Sequence, residues 1–211
     1  MDDPLPHLSK ADPRLGDLIA RLGKLPRVKP EHKELYHALF SAIAHQQLHA
    51  KAAQSILGRL RSACGETLPD SQTLLALPDS TLRACGFSAS KVAALRDVAA
   101  KAADGTIPSR RVAKTLTDEE LIARLITIRG VGRWTVEMIL IFTLERPDVF
   151  PVDDFGVREG YRILHGLDAQ PKPKAFAEIG KAFAPHRTLA ARYLWRAADE
   201  LKKPGTIVSK A

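Results

Sequence analysis

Apolar positions along this chain recur at helical spacing almost throughout, and glycine and proline punctuate them. Leu35, Leu39, Phe40 and Ile43 share one helical face; with Pro30 in a first-turn position they predict a helix over about 30–44. After a Gln46-Gln47-Leu48 junction, Ala50–Ala63 reads as a second helix ended by Gly65. Short helices are expected over Ser71–Ala76 and 80–85, the latter stopped by Gly86, and a longer one over 90–103, ending before Gly105. Thr117-Asp118-Glu119-Glu120 has the form of a capping box, with Thr at the N-cap and Glu three residues on; it opens a helix with Leu121, Leu125 and Ile126 on one face. Gly130 and Gly132 break that helix at a tight turn, and Val136, Ile139, Leu140 and Phe142 start another at once. Beyond Asp154 the pattern predicts helices over Phe155–Leu164, 174–183 and Arg187–Leu201, separated by Pro171-Lys172-Pro173 and Pro185, with a loose tail over 204–211. No convincing stretch alternates at the β period, and there are no internal repeats or low-complexity segments. The expected fold is all-α: a two-lobed helical bundle, one lobe made of 1–34 plus 146–211 and the other of 35–145. The helix, hairpin, helix arrangement lies at about 117–145, near a cleft between the lobes where Asp154 is also expected.

The hairpin carries candidate chemistry. At such a turn the unpaired amides of the second helix, with the positive end of its dipole, point outward and suit a phosphate oxygen. Arg129 and Arg133 add full charges beside it. A formal net charge of +8 changes the picture further, because it attracts polyanions such as nucleic acid. With 211 residues, 45% hydrophobic, the chain can bury a core as one domain or two small lobes. It has no run of eighteen apolar residues, so no membrane span is expected. Its start, Met1-Asp2-Asp3-Pro4, is unlike a basic, apolar secretory signal, and a cytoplasmic, chromosome-associated protein is expected. The two cysteines, Cys64 and Cys85, each precede a glycine at an expected helix C-terminus and read as packing residues. His45 and His49 have the spacing of a metal pair, but no third ligand is nearby, so no zinc site is expected.

The full string Ile128-Arg129-Gly130-Val131-Gly132-Arg133-Trp134-Thr135 is followed, twenty residues after Trp134, by the Asp154 of Pro151-Val152-Asp153-Asp154-Phe155. It resembles the helix-hairpin-helix of the base-excision DNA glycosylases (HhH-GPD), in which a Gly/Pro-rich loop and a downstream Asp follow the hairpin. Three further segments resemble the 3-methyladenine DNA glycosylase II (AlkA-like) branch. His45-Gln46-Gln47-Leu48-His49-Ala50-Lys51-Ala52-Ala53 is similar to its QQ…KAA segment, Gly86-Phe87-Ser88-Ala89-Ser90-Lys91 to its G-L/F-S-x-x-K helix start, and Arg187-Thr188-Leu189-Ala190-Ala191-Arg192-Tyr193-Leu194-Trp195 to its C-terminal RSxAAxYLW helix. The resemblance covers roughly residues 30 to 200. No counterpart of the β-rich N-terminal domain of some members is read, which predicts a compact form.

The resemblance implies a glycosylase that flips out and hydrolytically excises alkylated bases from double-stranded DNA, leaving an abasic site. The bases implied are 3-methyladenine and 7-methylguanine, with 1-methyladenine or 3-methylcytosine, which related compact enzymes take, as further candidates. By family position Asp154 is the carboxylate that stabilises the oxocarbenium-like transition state or activates water. Asp153 is then expected to cap the following helix. Bifunctional members place a nucleophilic lysine where this chain has Trp134, so no lyase activity is expected. The family-matched faces for stacking the base are Trp134 and Trp195, with Tyr193 and Phe155 as further candidates. Met138 stands where the best-known members have an aromatic, a departure that leaves the substrate range open. DNA-backbone contacts fall to Gly130, Gly132, Arg129, Arg133, Thr135 and Lys51, and the wedge filling the gap in the stack to Gln46 or Gln47. The main-chain carbonyls of Ile126, Ile128 and Val131 are implied to hold a structural Na+ or K+; catalysis needs no cofactor, and two cysteines cannot build an iron–sulfur cluster. The protein is expected to act as a monomer. Two alternatives stand: a non-enzymatic helix-hairpin-helix DNA-binding module in which Asp154 is only a cap, and a glycosylase for mismatched or oxidised bases.

Overall fold

The computed structural model describes residues 3–201, within which every regular element is helical. The chain divides into two compact units, one formed by its two ends, up to Val28 and from Arg146 on, and one by Lys29–Glu145. The expected tail over 204–211 lies outside the described residues.

The first unit opens with two helices that the hydrophobic pattern did not predict, α1 (Pro4–Ala11) and α2 (Pro13–Leu22). Both start the same way. Asp3 and Asp12 are N-caps, accepting from the amides of Leu5 and Leu15 at 3.2 Å, and Pro4 and Pro13 follow at the first helical position. There proline's fixed φ suits the helix and its missing N–H costs nothing.

The second unit contains α3 (Leu35–His45), α4 (Ala50–Ala63), α5 (Ser71–Ala76), α6 (Asp79–Cys85), α7 (Ala89–Ala103), α8 (Arg110–Ala113), α9 (Asp118–Leu125) and α10 (Arg133–Phe142). Pro30 does not open α3, which begins five residues later. The stretch 31–34 is polar and offers no face to bury, and a short helix needs a packed face to persist. Fully buried Leu35, Leu39, Phe40 and Ile43 make α3 the central helix of the unit, and Phe40 meets Phe87 edge-on with ring centroids 6.5 Å apart. The capping box at Thr117 forms in full: the Thr117 hydroxyl accepts from the Glu120 amide at 3.2 Å, while the Glu120 carboxylate accepts from the Thr117 amide at 2.7 Å.

The chain then returns to the first unit as α11 (Phe155–Leu164), α12 (Pro173–Gly180) with a 3-10 turn over Lys181–Phe183, and α13 (Arg187–Leu201). Leu8, Leu15, Leu18, Val157, Phe176, Phe183, Tyr193 and Leu194 form its core. Helices α11 and α13 cross closely enough that a Cβ on Gly160 would lie 1.8 Å from the Leu194 carbonyl oxygen, so only glycine fits there. The N-terminal helices are tied to this core by long-range bonds. Tyr193 donates to the Gly23 carbonyl at 2.9 Å, and His165 pairs with Asp12 at 2.9 Å.

Candidate active site and nucleic-acid interface

Asp154 is the N-cap of α11 and is buried, with 7% of its surface exposed. Its Oδ1 accepts two hydrogen bonds, from the Val157 amide and from the Trp195 indole Nε1, each at 2.8 Å. The cap therefore belongs to Asp154, and the expectation that Asp153 caps this helix is corrected: Asp153 is exposed and lies one residue outside the cap position. An N-cap side chain bonds the amide two or three residues on, which from Asp154 is Val157. The arrangement holds a charge in a nearly dry place, beside the positive end of a helix dipole. Gly156 makes room for it, since a Cβ there would come within 2.9 Å of Trp195 Cδ1 and 3.2 Å of Asp154 Oδ1.

The implied stacking faces divide. Trp134 is 48% exposed and Phe155 63%, both unusually open for large hydrophobic side chains. Trp195 is half-buried, and its polar edge is committed to Asp154, so it positions the carboxylate. Tyr193 is corrected. It is fully buried in the core of the first unit, its hydroxyl spent on the Gly23 carbonyl, and it has no face to offer a base.

At the hairpin, Gly130 has φ +78° and takes the left-handed position that the turn requires. Gly132 does not: at φ −99°, ψ 170° it is extended backbone, it is the N-cap of α10, and a Cβ there would meet nothing within 4 Å. Its contribution is an open approach to the first-turn amides of α10. Arg129 is exposed, and its amide donates to Asp97 Oδ2 of α7 at 2.7 Å, which anchors the turn. Arg133 is held by two carboxylates, Glu119 at 2.6 Å and Glu137 at 3.1 Å, so a phosphate has to compete for it. Hydrogen bonding from Arg133 holds the Glu119 carboxyl below its ordinary range. The Thr135 side chain is buried, which removes its hydroxyl as a backbone contact and leaves only its main chain in the first turn of α10. Lys51 is exposed in the first turn of α4.

The loop between α3 and α4 is strapped to the rest of the second unit. Gln46 Nε2 donates to the Gly130 carbonyl at 2.8 Å, and Lys91 Nζ donates to the Ala44 carbonyl at 2.7 Å; burial lowers the pKa of that lysine. Gln46 is thus a strap in this conformation, whereas Gln47 is exposed at φ +56°. A cavity of about 280 Å³ lies between α3 and α10, lined by Ala42, His45, Thr135, Met138, Phe142 and, from the segment before α3, His32. Glu137, Asp97, Gly156 and His32 were not singled out in the sequence, and Glu119 and Lys91 stood there only within the capping-box string and the family's helix start. The only signals there were the i, i+4 spacing of Arg133 and Glu137 and the small residues Gly156 and Gly160 four apart on one helix.

No helix among the described residues is long and apolar enough to cross a membrane. Comparison with known proteins places residues 40–185 in a family model described as HhH-GPD superfamily base excision DNA repair protein. DNA-3-methyladenine glycosylase 1 of Schizosaccharomyces pombe is 43% identical over 192 residues, covering 90% of this chain and 84% of that protein. Among solved structures, the S. pombe 3-methyladenine DNA glycosylase Mag1 in complex with abasic DNA superposes with a TM-score of 0.81 at 42% identity, covering 92% of this chain and 95% of that one. The DNA-3-methyladenine glycosidase of Bacillus halodurans gives a TM-score of 0.86 at 32% identity, covering 95% and 91%. The buried, capped aspartate and the glycine hairpin thus sit in a chain that belongs to the HhH-GPD superfamily of base excision DNA repair proteins.

Proposed function

We propose that this protein is a monofunctional DNA glycosylase that flips alkylated bases, 3-methyladenine foremost, out of double-stranded DNA and hydrolyses their N-glycosidic bond. The observation that carries this reading is the Asp154 carboxylate, buried and fixed through Oδ1 by a helix amide and an indole N–H. Bond cleavage builds positive charge at C1′ of the deoxyribose, and a preoriented carboxylate away from water stabilises that charge strongly or activates the attacking water. An alkylated base leaves as a neutral molecule from a cationic nucleoside, so little general-acid help is needed. Trp134 offers no amine at the place where a lysine would form a Schiff base, so the product is an intact strand with an abasic site. The exposed rings of Trp134 and Phe155 supply π-faces for an electron-poor base, each contact worth about 0.5–2 kcal/mol. Gly130, Gly132 and the amides of α10 take the phosphate, and Gln47 is the better placed wedge because Gln46 is engaged. The carbonyls of Ile126, Ile128 and Val131 would hold a monovalent cation, which would add positive charge where the hairpin faces a phosphate. Neutral oxygens of this kind suit such an ion, and the Ile128 carbonyl, which accepts the Val131 amide at 3.0 Å, keeps a second lone pair for it.

The cap geometry also favours a second reading, a DNA-binding module in which Asp154 serves only α11. Asp154→Asn separates the two, because asparagine caps a helix as well as aspartate does. The test is base release from methylated duplex DNA, with products identified by mass and abasic sites checked for strand cleavage. The expected result is release of methylpurines by wild type without cleavage, and loss of release by Asp154→Asn at unchanged DNA affinity. Tight binding without release by wild type would favour the module.

A further inference from the structure

The cavity between α3 and α10 is lined by a buried polar group that no hydrogen bond among the described residues satisfies. His32 lines it with its side chain mostly buried, and its Nε2 has no hydrogen-bond partner among the described residues; the nearest acid, Glu31, stands at 3.7 Å. A buried polar atom without a partner carries a desolvation penalty, and structures retain such atoms chiefly where a ligand, ion or water removes it. The cavity, about 280 Å³, lies just below the usual range of small-molecule sites, about 300–1,000 Å³. Its walls combine the apolar Met138 and Phe142 with the polar Thr135 and His45, the mixture that suits a flat heteroaromatic base.

We infer that His32 is a specificity-determining residue whose Nε2 accepts a hydrogen bond from the exocyclic amino group of an alkylated adenine seated in this cavity, an inference that rests on the glycosylase reading. Alkylation makes the base cationic and its amino group a strong donor. A neutral imidazole protonated on Nδ1 offers Nε2 as the acceptor, whereas an imidazolium offers only N–H groups and repels the cation. Burial lowers the His32 pKa; Glu31 opposes this, and the nearby charges of His37 and His45 on α3 and of Arg61 on α4 reinforce it, so the ring is neutral at pH 7. An alkylated guanine presents a carbonyl oxygen on its corresponding edge, which sets acceptor against acceptor. The predicted preference is therefore for 3-methyladenine over 7-methylguanine.

The test is single-turnover release of both bases from one methylated duplex DNA between about pH 5 and 8 by wild type, His32→Ala and His32→Gln, corrected for spontaneous loss. Wild type is expected to lose 3-methyladenine release as pH falls below the ordinary histidine range, about 6.5. His32→Ala is expected to release 3-methyladenine at least tenfold more slowly, while 7-methylguanine release, relieved of the opposed acceptor, is unchanged or faster. His32→Gln, whose Oε1 is an acceptor that does not titrate, should keep 3-methyladenine release and lose its acid limb. Thermal unfolding of the glutamine variant checks that the fold is intact. Variants with the wild-type ratio and pH profile, or equal loss of both bases, would overturn the role of His32. Wild type that releases neither base at any pH would overturn the glycosylase reading itself, and this inference with it.

Discussion

The Trp195 indole acts through two surfaces. Its Nε1 donates to Asp154, and its Cδ1 edge lies so close to α11 that Gly156 has no room for a side chain. The first surface bears on chemistry and the second on packing, and Trp195→Phe separates them by keeping an aromatic ring without the donor. A hydrogen bond to a charged group contributes about 1.5–3 kcal/mol. The variant is therefore expected to slow base release about ten- to hundredfold under single-turnover conditions, with a melting temperature within a few degrees of wild type. Unchanged release would mean that the indole only packs. At this scale the sequence was partly legible. The spacing Ala190, Tyr193, Leu194, Ala197 puts Tyr193 on the buried face of α13 by helical periodicity alone, and Trp195 falls off that face. Chemical type suggested a base-stacking tyrosine; the helical period points to the core.

Caps and turns decide which elements present functional groups. Every helix that opens on an apolar period beyond residue 34 was predicted to within a few residues, since periods of three and four survive in the sequence without tertiary information. The one-turn α8 (Arg110–Ala113), too short to show a period, was missed, and the two N-terminal misses share a different cause. Asp3-Pro4 and Asp12-Pro13 read as breaks, yet an aspartate followed by proline is also the chemistry of a helix start, and only the packing of Leu8, Leu15 and Leu18 against distant residues settles which applies. At the hairpin, the two glycines look equivalent in sequence and differ in conformation. Gly130 needs its positive φ; Gly132 does not, and a Cβ there meets open space. Gly132→Ala is accordingly expected to change stability by no more than about 1 kcal/mol, because reduced unfolded-chain entropy is offset by alanine's poorer fit to the N-cap. The same change is expected to weaken DNA binding severalfold, because the methyl group stands where a phosphate approaches the α10 amides. Thermal melts alongside salt-controlled binding titrations check both halves, and unaltered affinity would remove Gly132 from the proposed DNA grip.

At the scale of the whole molecule, the first unit is built from segments far apart in sequence. One of its ties joins Asp12, which is buried and caps α2, to His165 at the end of α11, whose other end is capped by Asp154. Burial pushes the Asp12 carboxyl up, but hydrogen bonds from His165 and from the amides of Leu15 and Arg14 outweigh it and leave the group below the usual carboxylate range. A carboxyl depressed in the folded state contributes stability at pH above its unfolded value, about 3.9, and that contribution is lost as pH falls through the lower folded value. Unfolding free energies of wild type are thus expected to decline below about pH 4 more steeply than those of Asp12→Asn, measured by denaturant titration across that range. Parallel acid limbs would show that the pair contributes nothing linked to protons. The discontinuity has a temporal side too. Lys29–Glu145, with the hairpin, leaves the ribosome as a contiguous piece, whereas the support of Asp154 waits for the helix that ends at Leu201. The 56 residues between Glu145 and Leu201 take roughly 3–11 s at about 5–20 residues per second. During those seconds the hairpin segment is already made while Asp154 still lacks its indole partner, so in each chain the parts proposed to hold DNA are complete in sequence before the part proposed to release a base.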